Sequence, residues 1–408
     1  MSIGKRRYMK KQSNAPQIRF QNFEDEWVNQ RLGKTVEVIM GQSPDGKNYT
    51  DNPNDYILVQ GNADMQNGRV VPRVWTTQIT KLAEKGDLIL SVRAPVGDIG
   101  TTDYPIVLGR GVAAIRGNDF LFYLLSRMKQ TNYWAKFSTG STFESINSND
   151  IKSAEICLPS QDEEAAIGSL FRTLDDLLSS YKDNLTNYQS LKATMLSNMF
   201  PKVGQTVPEI RLDGFEGEWE KVKLKDVTES IEYGLNASAK EFDGENKYIR
   251  ITDIDDVSRK FKEDSLTSPD INVSECDTYL LCEKDILFAR TGASVGKTYL
   301  YDKKDGKVYF AGFLIRARIK DKFDSKFIFQ NTLTDRFTQY VKVTSQRSGQ
   351  PGVNGKEYGE YELYLPKYEE QQAIGTYFSN LDNLINSYQE KISQLEILKK
   401  KLLQDMFI

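Results

Sequence analysis

Histidine is absent from all 408 residues. Its absence excludes the Ser-His-Asp and Cys-His arrangements, the HExxH metal site and the commonest general base at neutral pH. Hydrolytic chemistry is therefore not expected. Cysteine is almost as scarce: Cys157, Cys276 and Cys282 are odd in number and lack CxxC spacing. Neither a disulfide framework nor a metal site is predicted, and the three read as buried thiols. No apolar run approaches the roughly 20 residues of a spanning helix, and Lys5-Arg6-Arg7 leads into polar residues rather than a signal core. A cytoplasmic chain without membrane contact is the expectation. Charge of one sign is nearly lacking in sum, at −3 overall. It is unevenly placed, with +4 over residues 1–157 and −4 over residues 208–364. A polyanion is bound by a local basic face rather than a basic total.

What the chain does have is a stretch that occurs twice. Residues 159–200 open on Pro159-Ser160-Gln161-Asp162-Glu163-Glu164 and close on Met199-Phe200, and residues 366–407 open on Pro366-Lys367-Tyr368-Glu369-Glu370-Gln371 and close on Met406-Phe407. The copies align without a gap. Ile167, Phe171, Leu174, Leu178, Tyr181 and Leu185 recur at four- and three-residue steps, echoed by Ile374, Phe378, Leu381, Ile385, Tyr388 and Ile392. That is a heptad seam. Lys192 and Lys399 interrupt it at the same position, as a polar residue that fixes register does. Acidic first turns suit the helix dipole. Some 39 residues at about 1.5 Å each make a rod of about 58 Å, which needs a partner seam to be stable.

The obvious partner is its copy. Antiparallel pairing about a pseudo-two-fold axis is expected, with a globular domain at each end of the rods. Lys192 and Lys399 are then expected to face the acidic starts of the opposite helix, Glu369-Glu370 and Asp162-Glu163. Leu170, Leu177, Leu191 and Leu196, echoed by Tyr377, Leu384, Leu398 and Leu403, widen the apolar surface beyond a two-strand seam. Further helices packing alongside are predicted.

The repeat also covers what precedes each helix. Pro16-Gln17-Ile18-Arg19-Phe20, Phe23-Glu24-Asp25-Glu26-Trp27 and Leu32 return as Pro208-Glu209-Ile210-Arg211-Leu212, Phe215-Glu216-Gly217-Glu218-Trp219 and Leu224. Such a period indicates a tandem duplication rather than a solenoid. Between phrase and helix, strands are predicted at Tyr56–Gln60, Asp87–Val92 and Gly111–Ile115, with counterparts at Tyr248–Ile251, Asp285–Ala289 and Phe313–Ile319. Short helices are predicted at 118–134 and 325–341. The fold class is α+β: a basic leader (1–15), a first domain (16–157), a first long helix (158–200), a linker (201–207), a second domain (208–364) and a second long helix (365–408). The middles of the two domains match each other far less well than their ends do.

Two tempting motifs fail on spacing. Gly292-Ala293-Ser294-Val295-Gly296-Lys297-Thr298 has three residues between its glycines, where a phosphate loop has four. It is either a turn presenting Arg290, Thr291, Ser294 and Lys297 to a ligand or a purely structural turn. Asn52-Pro53-Asn54-Asp55-Tyr56 has a proline out of place for an amino-methyltransferase site, and no glycine-rich cofactor loop precedes it.

The duplicated Phe-Glu-x-Glu-Trp phrase, the turn Gly86-Asp87-Leu88-Ile89-Leu90-Ser91-Val92-Arg93-Ala94-Pro95-Val96-Gly97 with its partner Asp285–Gly296, and the Leu-Pro-x-x-x-Glu entry into each long helix together resemble the DNA-specificity (S) subunit of type I restriction-modification systems. The resemblance covers nearly the whole chain. It implies that each globular domain is a target recognition domain reading one half of a split site on double-stranded DNA. It implies helices that set the spacing and dock two methyltransferase (M) subunits, with restriction (R) subunits joining through the resulting M2S1 complex. It implies no catalysis and no cofactor in this chain, with S-adenosylmethionine, ATP and Mg2+ on the partners.

Within that reading, loop chemistry nominates DNA-binding residues, because Arg, Gln, Asn, Ser and Thr bond base edges and phosphates. They are Gln42, Ser43, Gln60, Asn62, Arg73, Arg93, Arg110, Ser141 and Thr142 in the first domain. In the second they are Asn236, Arg250, Thr252, Arg290, Ser294, Lys297, Arg316, Arg347, Gln350 and Asn354. The competing expectation is a coiled-coil scaffold whose duplicated domains bind a ligand other than DNA; an independent enzyme is the third.

Overall fold

Two 38-residue helices, Gln161–Asn198 and Tyr368–Asp405, dominate the chain. In this computed structural model, residues 14–137, 145–272, 276–346 and 350–408 are described. The chain divides into two compact units, the first up to Ser180 plus Ile392–Ile408, the second Tyr181–Lys391. Each unit therefore takes one part of each long helix rather than leaving the helices as separate segments.

The first unit is built on an antiparallel run of strands, Val38–Met40, Val112–Ile115, Leu88–Ser91 and Ile99–Thr101. Its members are short and rich in Val, Ile and Leu because both faces are covered; Leu88–Ser91 and Val112–Ile115 are buried throughout. Tyr56–Val59 and Ile106–Leu108 form a parallel pair beside it. Val28–Arg31 pairs with Glu155–Leu158 and so ties the entry phrase to the exit strand.

The second unit repeats the scheme. Thr228–Tyr233, Leu314–Ile319, Asp285–Ala289 and Thr298–Leu300 make the antiparallel run. Lys247–Ile249 with Val308–Phe310 makes the parallel pair, and Glu220–Lys223 with Glu362–Leu365 the tie. The predicted helix over 118–134 is Asp119–Gln130 followed by a 3-10 turn at Tyr133–Phe137. The one predicted over 325–341 is instead two helices, Ser325–Asn331 and Asp335–Thr344. The break follows from Thr332 and Thr334, whose hydroxyls bond Phe329 O (2.6 Å) and Asn331 O (2.7 Å), with Thr334 also capping the second helix.

Most of the heptad seam is buried; Tyr181, Leu185 and Tyr388 are half-buried. In the first unit Ile167, Phe171 and Leu174 share a core with Leu403, Met406 and Phe407, and the Phe171 and Phe407 rings lie 5.7 Å apart. In the second, Met199 and Phe200 share a core with Ile374 and Phe378, and Tyr188 meets Tyr388 at 5.4 Å. The start of one helix lies beside the end of the other in each unit, so the two run antiparallel there.

The lysines that interrupt the seam choose partners other than the helix starts. Lys192 Nζ bonds Asp382 Oδ1 at 2.6 Å, and Lys399 bonds Asp175. Each aspartate also receives a bond from its own domain, Asp175 from Tyr123 OH (2.7 Å) and Asp382 from Gln330 Nε2 (3.1 Å). Burial and the neighbouring Asp175 push the Tyr123 hydroxyl upward in pKa, keeping it a proton donor.

The acidic helix starts are occupied elsewhere. Glu163 is fully buried and bound by Arg19 through two bonds of 2.7 Å. Glu370, 1% exposed, is bound by Arg211 at 2.8 and 2.7 Å. The duplicated phrase thus clamps the duplicated helix. Lys192→Met is expected to cost about 1 kcal/mol in urea unfolding, and Asp382→Ala to cost less in that background than in the native chain, retaining only the loss of the Gln330 bond. Fully additive losses would show that the pair is not coupled.

Cys157 and Cys276 are buried, whereas Cys282, in the segment that leads into the strand Asp285–Ala289, is exposed, contrary to expectation. Among the described residues no helix is long and apolar enough to cross a membrane.

Candidate nucleic-acid interface

In each unit the strand ends converge on one loop face. In the first, Gly41 N donates to Val112 O (3.0 Å), Gln42 N to Leu108 O (2.9 Å), and Gly109 N to Val59 O (2.7 Å). This close approach requires glycine. A Cβ on Gly111 would lie 2.1 Å from Gln60 O, and one on Gly41 2.0 Å from Gly109 O. Gly111→Ala is accordingly expected to destabilise the unit by about 1–3 kcal/mol, and Gly61→Ala, which meets nothing within 4 Å, by under about 0.5 kcal/mol. Thermal melts of the two variants check this.

The result is a small cleft of about 230 Å³ lined by Gln60, Asn62, Ser91, Arg93 and Arg110 among others. Buried Asp64 holds its floor, accepting Gln60 N at 2.7 Å and Gly61 N at 3.3 Å. Ser43 Oγ accepts Arg110 N (3.1 Å), and Gln42 is exposed alongside, its carbonyl bound by Thr80 Oγ1 at 2.5 Å. Arg73 donates to Ala63 O (2.8 Å) and stands 3.6 Å from Asp64. The structure therefore brings Gln42, Ser43, Gln60, Asn62, Arg73, Arg93 and Arg110 to one face. Arg93 and Arg110 are exposed and make no ion pair among the described residues. Ser141 and Thr142 lie outside the described residues.

The second unit repeats the backbone and changes the side chains. Gly234 N bonds Leu314 O (3.1 Å), Ala311 N bonds Ile249 O (3.0 Å), and Arg290 N bonds Phe313 O as Val92 N bonds Gly111 O. By these ladders Arg250 stands where Gln60 does, and Phe313 where Gly111 does. Arg93 is matched by Thr291, not by Arg290.

The nominated residues here divide. Asn236, Thr252 and Gln350 are exposed and Arg290 half-buried on this face, whereas Ser294, half-buried, lines a separate cleft of about 1040 Å³ that faces Lys192, Leu196 and Asp382 of the long helices. Arg250 grips its own Asp253 at 2.8 and 2.9 Å, a bond that raises the guanidinium pKa, and Thr252 Oγ1 joins the same carboxylate. Lys297 is 7% exposed and bound to Asp256 (2.5 Å) and Ile254 O (3.2 Å); it holds the Asp256 carboxyl below its ordinary value. Arg316 is 3% exposed, paired with Glu232 and bonded to Thr278 O (2.9 Å). Both are internal supports rather than free cations. Asn354 caps the helix Gly355–Gly359, accepting Glu357 N at 2.9 Å. Arg347 lies outside the described residues. Two residues of this face were missed by loop chemistry, Tyr233 (45% exposed) and Phe313 (64%). The available signal was an aromatic residue beside a glycine in each case, Tyr233 beside Gly234 and Phe313 beside Gly312, the latter at the start of a predicted strand.

Comparison with known proteins places this architecture. The profile of the type I restriction modification DNA specificity domain matches residues 24–192 and again 216–397. A Methanocaldococcus jannaschii protein named as the MjaX type I restriction enzyme specificity subunit is 33% identical over 162 residues, 38% of this chain and 38% of that protein. The MjaVIII type I restriction enzyme specificity subunit of the same organism is 21% identical over 409 residues, covering 96% of this chain and 95% of that one. The chain thus spans less than half the length of the first relative and nearly all of the second. The crystal structure of the S subunit of a type I restriction-modification system from M. genitalium matches with a TM-score of 0.65 at 15% identity, over 97% of this chain and 99% of that chain. The likeness in structure is one of fold. With both halves matched by the profile, the chain belongs to the type I restriction-modification DNA specificity family.

Proposed function

We propose that the chain is the DNA-reading subunit of a type I restriction-modification complex, with each globular domain reading one half of a bipartite, gapped and asymmetric duplex site. The observation that carries this is the strand-end face built twice on one backbone scheme and lined differently each time, as two readers of different sequences require. In the proposal the long helices set the gap and dock two methyltransferase subunits, and restriction subunits join through them. S-adenosylmethionine, ATP and Mg2+ belong to those partners, and this chain supplies no catalytic group. The complex works on cytoplasmic DNA.

Co-expression with the modification subunit, followed by methylome sequencing, is expected to reveal adenine methylation at one bipartite gapped motif. A soluble complex with no such motif would overturn the reading. In the first domain, Arg93→Ala and Arg110→Ala are each expected to reduce the slope of log affinity against log salt by about one if they bind phosphate. An unchanged slope with relaxed sequence preference would place them on bases instead.

A further inference from the structure

Phe313 leaves 64% of its surface in solvent at a place where three strands end together. Tyr233 ends one neighbouring strand and Arg290 directly follows the other. The Arg290 guanidinium lies over the Tyr233 ring, 5.1 Å from its centroid, and Nη1 donates to Gly312 O at 3.4 Å. Tyr233 is itself held, its hydroxyl accepting Gly355 N at 3.0 Å. Arg250, Arg316 and Arg318 are all bound to carboxylates, of Asp253, Glu232 and Asp285. Arg290 makes no such pair among the described residues, so most of its donors stay available on a guanidinium whose plane is set by the ring beneath it.

A guanidinium fork fits guanine O6 and N7, and an exposed apolar ring fits the thymine 5-methyl group. We infer that Arg290, backed by Tyr233, reads guanine in the major groove and that Phe313 packs on the methyl of an adjacent thymine. The half-site read by residues 208–364 then contains a guanine next to a thymine. This deepens, and rests on, the DNA-reading proposal. The first domain cannot use the same device. Gly111 replaces Phe313, with a Cβ there 2.1 Å from Gln60 O, and buried Val92 replaces Arg290. Its half-site is read by the polar cleft instead.

The test uses the complex with its methyltransferase partner and duplexes carrying the methylome-defined motif, with 7-deazaguanine or uracil placed at one position at a time. One 7-deazaguanine in the second half-site is expected to weaken native binding about tenfold or more. Arg290→Ala is expected to bind the unmodified site with a similar loss and to be indifferent to that base change. Uracil at the neighbouring thymine is expected to weaken the native complex severalfold and to leave Phe313→Ala unaffected. Both variants keep native sensitivity to changes in the first half-site, which reports an intact fold; Arg290→Lys, retaining charge without the fork, supplies the same arm should the alanine variant fail to fold. Losses that add, equal weakening on every sequence, or a second half-site without the guanine-thymine step overturn the inference. A native complex lacking any bipartite motif overturns the DNA-reading proposal itself, a distinguishable result.

Discussion

Exchange of residues 208–364 for the corresponding domain of another family member is expected to change one half of the methylated motif and leave the other half and the gap as they were. The reason lies in where the second domain is anchored. Its loop face is held by its own strand ends, while its base is held by contacts that a graft must preserve. Trp219 packs on Phe200 (6.3 Å) and Phe327 (5.6 Å), and Phe327 on Phe200 (5.3 Å), joining the domain to the end of the first long helix. Arg211 reaches Glu370 in the second. A donor that keeps these residues changes the readers without disturbing the base. Methylome sequencing of the chimera decides the matter, and a change in both halves would sink the two-reader scheme.

Arg211→Met is expected to be among the most damaging single substitutions outside the aromatic cores. It strands a carboxylate that is 1% exposed, at a cost of about 3–5 kcal/mol. For a unit of this size that amounts to a fall in melting temperature on the order of 10 °C. Pairing it with Glu370→Leu removes the buried charge and is expected to recover most of the loss. Arg19→Met and Glu163→Leu form the same test in the first unit. The exposed pair Lys221–Glu362 is the control, expected to cost under about 1 kcal/mol. If Arg211→Met costs no more than that control in thermal or urea unfolding, the clamp contributes nothing to the fold.

The long helices were legible because their signal is periodic and local: Ile167, Phe171, Leu174 and Leu178 mark one face whatever covers it. Six strands were legible for the same reason, whereas their neighbours Val38–Met40, Ile99–Thr101, Thr228–Tyr233 and Thr298–Leu300, short or mixed in polarity, were not. The partners of Lys192 and Lys399 were not, because charge pattern alone favoured the nearby helix starts, while Glu163 and Glu370 are drawn off by arginines 144 and 159 residues away. Loop chemistry found the polar cleft of the first domain because glycines at strand ends mark close approach. It misplaced Lys297 and Arg316, since a charged residue's letter does not tell whether Asp256 or Glu232 will bury it. Asn354 carried its own warning, as Asn354-Gly355-Lys356-Glu357 has the spacing of a capping box. Tyr233 and Phe313 went unnoticed because aromatic residues at strand ends read first as core.

The division of both long helices between the units also governs the order in which the chain can fold as it is made. The core that holds Phe120 and Phe171 is closed by Phe407, and Ile18 N bonds Asp405 O at 2.9 Å. The first globular domain thus leaves the ribosome more than two hundred residues before the segment that covers it. Until Ile392–Ile408 is translated, the buried half of the seam at Ile167, Phe171 and Leu174 stays open to water. During that interval the apolar side chains of the seam are open to water and to contact with other chains, the condition under which a nascent domain is most prone to aggregate.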